Sequence, residues 1–238
     1  MERTVTPELL DTDQGTPAEV EQTLRDLRFI NRWFGGISTT RRMLEKVLGC
    51  PTPVDPGFGP TGWGRFSPTP EVTLLDVGAG SGDVSLSSAR QLAPQTRIRV
   101  TLLDRMPAHM PRNGAGRIAA DALSLPFLDS SFDLVTCSLL VHHLEHSQIV
   151  RFVNEALRVA RIAVLLNDLR RAPLHLALLY AGFPLFGRLT RHDGVASVRR
   201  SYTPREMLDM LRQTRAASVE LEPHYLFRMG IVAWKAGS

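Results

Sequence analysis

Two cysteines in 238 residues, Cys50 and Cys137, are too few to staple a fold and lie far apart in the chain. Stability must therefore come from a packed core, and both thiols are expected to be reduced. No cationic stretch followed by an apolar one opens the chain, so the expected location is cytoplasmic. An uninterrupted apolar run of about 18 to 20 residues, the length of a spanning helix, is also missing. The longest apolar-leaning segment, Ala172 to Leu189, is broken by His175, Gly182, Pro184 and Arg188. This sets aside a membrane span. Neither sign of charge dominates, because 28 basic and 24 acidic residues leave a net +4, too little to demand nucleic acid as a partner. No internal repeat is visible.

What is present is ordinary globular composition, with 43% hydrophobic and 22% charged residues. The length suits one α/β domain with added elements, and two full domains would be a squeeze. Residues 1 to 15 show no periodicity and read as a mobile arm. Thr16-Pro17-Ala18-Glu19 has the pattern of a capping box, and Val20, Leu24, Leu27 and Ile30 continue it at helical spacing until Gly35-Gly36. A second amphipathic helix is expected over Thr39 to Leu48. Pro51 to Pro70 then forms a linker whose large anchors are Trp63 and Phe66. The predicted organisation is a cap over 1–70 and a core domain over 71–238.

From Glu71 onward strands and helices alternate. Strands are predicted at Val72 to Val77, Ile98 to Leu103, Arg117 to Ala119, Phe132 to Cys137 and Ile162 to Leu166. Helices are predicted at Asp83 to Leu92 and Gln148 to Val159. Such alternation builds an open, doubly wound α/β sheet that binds ligands beyond the carboxyl ends of its strands. After Asp168 come a helical insertion over about 170–202, a polar loop near Arg191 to Arg200, and a helix opened by the capping box Thr203-Pro204-Arg205-Glu206. Two closing strands, Ala217 to Glu222 and Tyr225 to Lys235, suit an antiparallel edge.

The chemistry gathers at strand ends. In Leu74-Leu75-Asp76-Val77-Gly78-Ala79-Gly80-Ser81-Gly82-Asp83 an apolar run gives way to a glycine-rich turn and a helix start. Such a loop cradles a nucleotide-like ligand. Its G-x-G-x-G spacing departs from the G-x-G-x-x-G of dinucleotide binders. Asp104 ends the second strand, where its carboxylate would face a ribose. Asp121 follows the third strand, where it would accept from an adenine amino group beside the N–H of Ala122. Asp133 stands at the amino end of the fourth strand and reads as structural.

These pieces resemble the class I S-adenosylmethionine-dependent methyltransferases, and among them the small-molecule group similar to enzymes of ubiquinone and menaquinone biosynthesis. The resemblance covers roughly residues 71 to 168. It rests on Leu75 to Gly82, Asp104, Asp121-Ala122, Leu125-Pro126-Phe127 ahead of Ser131 to Val135, and Val141-His142-His143-Leu144. It implies a mostly parallel seven-stranded sheet of the Rossmann-like methyltransferase fold. It also implies S-adenosyl-L-methionine as cofactor. Gly78, Ala79, Gly80 and Gly82 with Asp76 would line its methionine end, Asp104 its ribose, and Asp121 with Ala122 its adenine. Arg105, Met106 and Ser138 complete the cofactor set. The chain departs from the family between Asp104 and Asp121, where two prolines and a glycine in Arg105 to Gly114 leave little helix.

Other chemistries lack their residues. The fourth strand ends Cys137-Ser138-Leu139-Leu140, without the Asn- or Asp-Pro-Pro-aromatic run of enzymes that methylate base amino groups. Cys137 follows threonine rather than proline and reads as a buried small hydrophobe. Asn167-Asp168 has no partner carboxylate for magnesium. His142, His143 and His146 lack the spacing of a zinc site, and no metal is expected. Methyl transfer needs positioning and somewhere for a proton to go. A histidine, with its unperturbed pKa of about 6.5, suits that second task. His143 is the first candidate, His142 the second and His192 a weaker third. Substrate contacts are expected from outside the shared core: Arg32 and Trp33 at a helix end, Asn167, Arg170, Tyr180 and Arg200. The expected acceptor is a small hydrophobic or aromatic molecule, phenolic or polyketide-like, methylated at oxygen or carbon with oxygen slightly favoured. A nicotinamide-dependent oxidoreductase and a noncatalytic S-adenosylmethionine-binding protein are the alternatives.

Overall fold

The computed structural model describes residues 1–10, 14–49, 71–111 and 116–236. Cys50 and the linker expected over Pro51 to Pro70, with Trp63 and Phe66, lie outside them. The strands are β1 (Val72–Val77), β2 (Ile98–Asp104), β3 (Gly116–Ala119), β4 (Phe132–Ser138), β5 (Ala160–Leu169), β6 (Ser218–His224) and β7 (Arg228–Trp234). They form one seven-stranded sheet in the order β3-β2-β1-β4-β5-β7-β6. The first five are parallel and β7 runs antiparallel between β5 and β6. This is the expected doubly wound sheet with an antiparallel edge. The order reverses at β1 and β4, which opens a crevice at their carboxyl ends.

The helices are α1 (Pro17–Trp33), α2 (Gly36–Leu48), α3 (Asp83–Leu92), α4 (His146–Val159), α5 (Pro173–Ala181), α6 (Arg188–Arg200) and α7 (Pro204–Leu211). Capping boxes start α1 and α7 at Thr16 and Thr203. The central strands are buried on both faces, which is why Leu74, Leu75, Leu134, Val135, Val164 and Leu165 are all inaccessible. At the opposite end of the sheet, Asp133 accepts from the N–H and hydroxyl of Thr73 at 2.8 and 2.7 Å and from Arg161 at 3.0 Å. It ties β1 to β4.

Three expectations are corrected. Residues 1–10 are not a loose arm. The Arg3 guanidinium sits 4.3 Å over the Tyr202 ring, Arg171 donates to the Met1 carbonyl, and the N–H groups of Leu9 and Leu10 bond the Asp193 carboxylate at 2.7 and 3.1 Å. Polar contacts hold this segment, so a search for apolar periodicity passes over it. The stretch Arg191 to Arg200 is helix α6 rather than a polar loop. Its inner face is Leu189, Asp193 and Ala196, where the buried aspartate hides the apolar period. Lastly, β5 runs on through Asn167 and Asp168 because β7 pairs with it as far as Leu169.

Candidate active site

The crevice floor is the turn between β1 and α3. Gly78 and Ala79 donate to the Leu103 carbonyl at 2.8 and 3.1 Å, which holds the turn against β2. Gly78 lies at φ 68°, and a Cβ there would come within 3.0 Å of Leu140. Gly80 lies at φ 51° and has nothing within 4 Å of where its Cβ would be. One glycine is required by a neighbour, and the other leaves space for a ligand.

Asp104, at the end of β2, accepts from Gly80 N–H and Met106 N–H, each at 2.8 Å. Both carboxylate oxygens keep a lone pair for a further donor. Asp121 is exposed and accepts from Leu123 N–H at 2.9 Å in a tight turn. Among the described residues of the segment that departs from the family, the helical element is a short 3-10 turn, Pro107–His109. Asp76 is 3% exposed and accepts from the Ser85 hydroxyl at 2.5 Å. Burial, reinforced by the charges of Asp83 and Asp104, raises its pKa from 3.8 to about 7. A carboxyl so perturbed beside an open cradle is a mark of a functional site.

Across the crevice, β4 ends at Ser138 and the chain passes through Leu139 at φ 58° into the 3-10 turn Val141–His143. His142 is buried, and its Nδ1 lies 2.6 Å from Asp168 Oδ1. Its Nε2 lies 3.5 Å from Glu8 Oε1, and His143 Nε2 lies 3.6 Å from the same oxygen. Burial works against a charged His142 ring, but the two carboxylates outweigh it and raise the pKa to about 9. His142 is therefore an imidazolium at neutral pH, held between Asp168 and Glu8. That is a poor proton acceptor. Glu8, His142 and His143 place one possible ligand atom each within 4.8 Å of one another, a cluster no sequence spacing announces because Glu8 comes from the amino-terminal segment. Arg200 Nη1, which can only donate, lies 3.4 Å from His143 Nδ1, and this puts the His143 proton on Nε2, toward Glu8. The arrangement is that of an ion-pair cluster.

Residues 75–164 match the family described as methyltransferase domain. This segment is similar to that domain, over 90 of the 238 residues. A demethylmenaquinone methyltransferase of Roseiflexus castenholzii (strain DSM 13941 / HLO8) is 34% identical over 92 residues, which are 37% of this chain and 38% of that protein. The match thus spans well under half of the relative. Among solved structures, the pyocyanin biosynthetic protein PhzM aligns with a TM-score of 0.51 at 19% identity, covering 69% of this chain and 50% of that one. The CMeT domain of the citrinin polyketide synthase aligns at 0.50 and 12%, covering 71% and 47%. These two likenesses speak for the fold.

The remaining predicted residues lie outside residues 75–164, except Ser138 at the end of β4. Asn167 is 1% exposed, and its amide donates to the Gly36 carbonyl and Thr40 hydroxyl at 2.7 and 2.8 Å, so it anchors α2 instead of facing an acceptor. The Ser138 hydroxyl lies 3.5 Å from that of Thr40. The Arg32 guanidinium lies 5.5 Å from the centre of the exposed Trp33 ring. Arg170 sits over the Phe227 ring, and Arg200 donates to the His143 carbonyl at 2.8 Å. His192 bonds Asp193 at 2.9 Å. It lines a cavity of about 400 Å³ with Tyr180, Phe183 and Arg199. Sequence reasoning missed Glu8 and Asp168 as the partners of His142, and it missed His175 and Arg228. Asp168 had a signal, since it stands where a parallel strand leaves the sheet. Glu8 had none.

Proposed function

We propose that this chain transfers a methyl group from S-adenosylmethionine to a small apolar or aromatic acceptor, at oxygen in preference to carbon. The observation that carries this reading is the space above Gly80 beside the Asp104 carboxylate, at the sheet's switch point and within the segment that matches the methyltransferase domain. The residues fit the cofactor. Gly80 leaves room for its methionine end near Asp76, in the turn that Gly78, Ala79 and Gly82 shape. Asp104 has lone pairs for two ribose hydroxyls, and Asp121 and Ala122 stand one strand further on, with Arg105, Met106 and Ser138 at the margins. When bound there, the cofactor supplies a methyl group on a positively charged sulfur.

The protein's part is placement. Asn31 in α1 donates to Asp83 at the start of α3 at 3.2 Å, so the amino-terminal cap closes over the helix that leaves the glycine turn. The acceptor would lie between this cap and the 170–202 insertion. Fixing the acceptor oxygen in line with the methyl supplies much of the rate. A hydroxyl that accepted the methyl group would have to lose its proton, and this needs a base. With His142 held as a cation, His143 is the candidate of the pair: its Nδ1 lone pair would exchange Arg200 for the acceptor hydroxyl while its Nε2–H stays directed at Glu8. A relative named as a demethylmenaquinone methyltransferase supports a ring-bearing acceptor.

Asp104→Ala is expected to weaken S-adenosylhomocysteine binding about tenfold or more, since it removes charge-assisted bonds worth roughly 1.5–3 kcal/mol. Unchanged calorimetric affinity would remove the ribose assignment. His143→Ala is expected to slow turnover far more than it weakens cofactor binding. Equal rates for wild type and variant across pH 6 to 9 would dismiss His143 as the base.

A further inference from the structure

Arg228, the first residue of β7, is 1% exposed. Its Nε donates to the Phe34 carbonyl at 3.4 Å and its Nη2 to Asn31 Oδ1 at 3.2 Å. Its Nη1 has no partner among the described residues. No carboxylate pairs with it there, and Asp168 and Asp83 act on it only as distant charges. Burial lowers its pKa to about 10, which leaves it a cation at neutral pH. A buried guanidinium with an unused donor and no counter-ion is costly, and proteins keep such groups paired.

Arg228 borders a cavity of about 140 Å³ whose wall includes Ile30, Phe34, Leu178, Phe186 and Phe227. A dry protein cavity of about 150 Å³ is large enough to take up benzene. One other lining side chain is polar. His175 stacks on Phe227, with ring centroids 5.0 Å apart and planes 11° from parallel. Its Nδ1 lies 3.3 Å from the Arg170 carbonyl, which can only accept. The ring proton is therefore on Nδ1, and Nε2 keeps a lone pair. Two adjoining wall residues, Leu226 and Phe227, stand in the left-handed region at φ 51° and 62°, a conformation costly for bulky side chains and associated with ligand clamps. Asn31 accepts from Arg228 and donates to Asp83, so the cavity and the glycine turn share one chain of hydrogen bonds.

We propose that this cavity is a subsite for a single aromatic ring bearing an anionic oxygen, which displaces the side chains packed over the closed-off Arg228 Nη1 and binds that atom, with a ring hydroxyl donating to His175 Nε2. That the ring is the methyl acceptor rests on the methyltransferase reading above. That the ring binds does not. The apolar wall takes the ring, the guanidinium gains the counter-ion the fold withholds, and the imidazole selects a hydroxyl.

The test is calorimetry on the full chain saturated with S-adenosylhomocysteine, titrated with 4-hydroxybenzoate, benzoate and the neutral 4-hydroxybenzyl alcohol. Arg228→Gln is expected to weaken 4-hydroxybenzoate binding about tenfold or more, with the neutral alcohol changed by no more than about twofold. His175→Leu should erase the preference for 4-hydroxybenzoate over benzoate. Leu178→Trp should abolish binding of all three. The last two variants leave the bonds from Arg228 to Phe34 and Asn31 in place, so they carry the test even if Arg228→Gln does not fold. If S-adenosylhomocysteine binds and neither benzoate does, the subsite is refuted while the methyltransferase reading stands. Equal affinity of wild type and all three variants refutes it as well. If the benzoates bind with the expected pattern and S-adenosylhomocysteine does not, the subsite stands and the cofactor reading falls.

Discussion

Asp168→Asn is expected to lower the unfolding free energy at pH 6 by about 3–5 kcal/mol, the cost of breaking a buried ion pair from one side. Asp168 accepts from His142 Nδ1 at 2.6 Å, from His142 N–H at 3.2 Å and from Leu169 N–H at 2.6 Å, and it is 1% exposed. Burial alone would push its carboxyl up, but the His142 charge holds it below the usual range, and the same charge with its hydrogen bond lowers Glu8. The pH dependence follows from these directions. A histidine raised from 6.5 to about 9 contributes stability that is complete below pH 6.5 and is lost as pH rises through 9. At 1.36 kcal/mol per unit that loss is about 3 kcal/mol. The two carboxylates contribute stability that disappears only as pH falls through their lowered values. Urea unfolding of the wild type should therefore show stability declining between pH 6.5 and 9, and Asp168→Asn should flatten that decline. The same slope in both proteins would mean that His142 is not charged in the folded state. His142→Gln separates this effect from other titrations in the window.

The scaffold was legible because its signals are local and periodic. Apolar-rich runs, each broken by one polar residue, marked the strands from Leu74 to Val77 and from Leu134 to Cys137, glycines marked the turn at Gly78 to Gly82, and Thr-Pro-x-Glu boxes marked two helix starts. Asp104 and Asp121 were legible because a parallel sheet fixes which ends of its strands face the crevice. Features built by distant contacts were not. Asn167 looks like a strand-end functional group, yet its amide is used by α2, which only the packing reveals. Glu8 reaches the histidines because Asp193 captures the N–H groups of Leu9 and Leu10, a polar contact between opposite ends of the chain. Arg228 falls within the strand expected over Tyr225 to Lys235, where nothing local marks it. Its burial depends on α1 crossing the end of β7, and no spacing in the sequence encodes that crossing.

Asp76→Asn is expected to stabilise the protein relative to wild type at pH 8, by up to about 4 kcal/mol more than it does at pH 3.5. The wild-type carboxyl titrates at about 7 in the folded state against 3.8 as its ordinary value, and the ordinary value is the one it regains on unfolding. The unfolded chain therefore gives up this proton first. Stability is intact below pH 3.8, falls as pH rises toward 7 and stays reduced above it, at 1.36 kcal/mol per unit of displacement. The amide is isosteric and can still accept from the Ser85 hydroxyl, so the substitution removes the desolvated charge and little else. A carboxyl kept at such cost needs a use, and in the proposed site the use is electrostatic. The cofactor's methionine end carries an ammonium group that an ionised Asp76 attracts directly or through water. S-adenosylhomocysteine affinity should then rise between pH 6 and 8 in the wild type, because binding draws the proton off Asp76. In Asp76→Asn it should be weaker and nearly flat with pH. Stability and affinity thus move in opposite directions in one variant, a pattern that a purely structural aspartate does not produce. Pulse proteolysis and calorimetry across that range read the two quantities separately. A variant that gains stability and binds S-adenosylhomocysteine as tightly as the wild type at pH 8 would leave Asp76 outside the cofactor site.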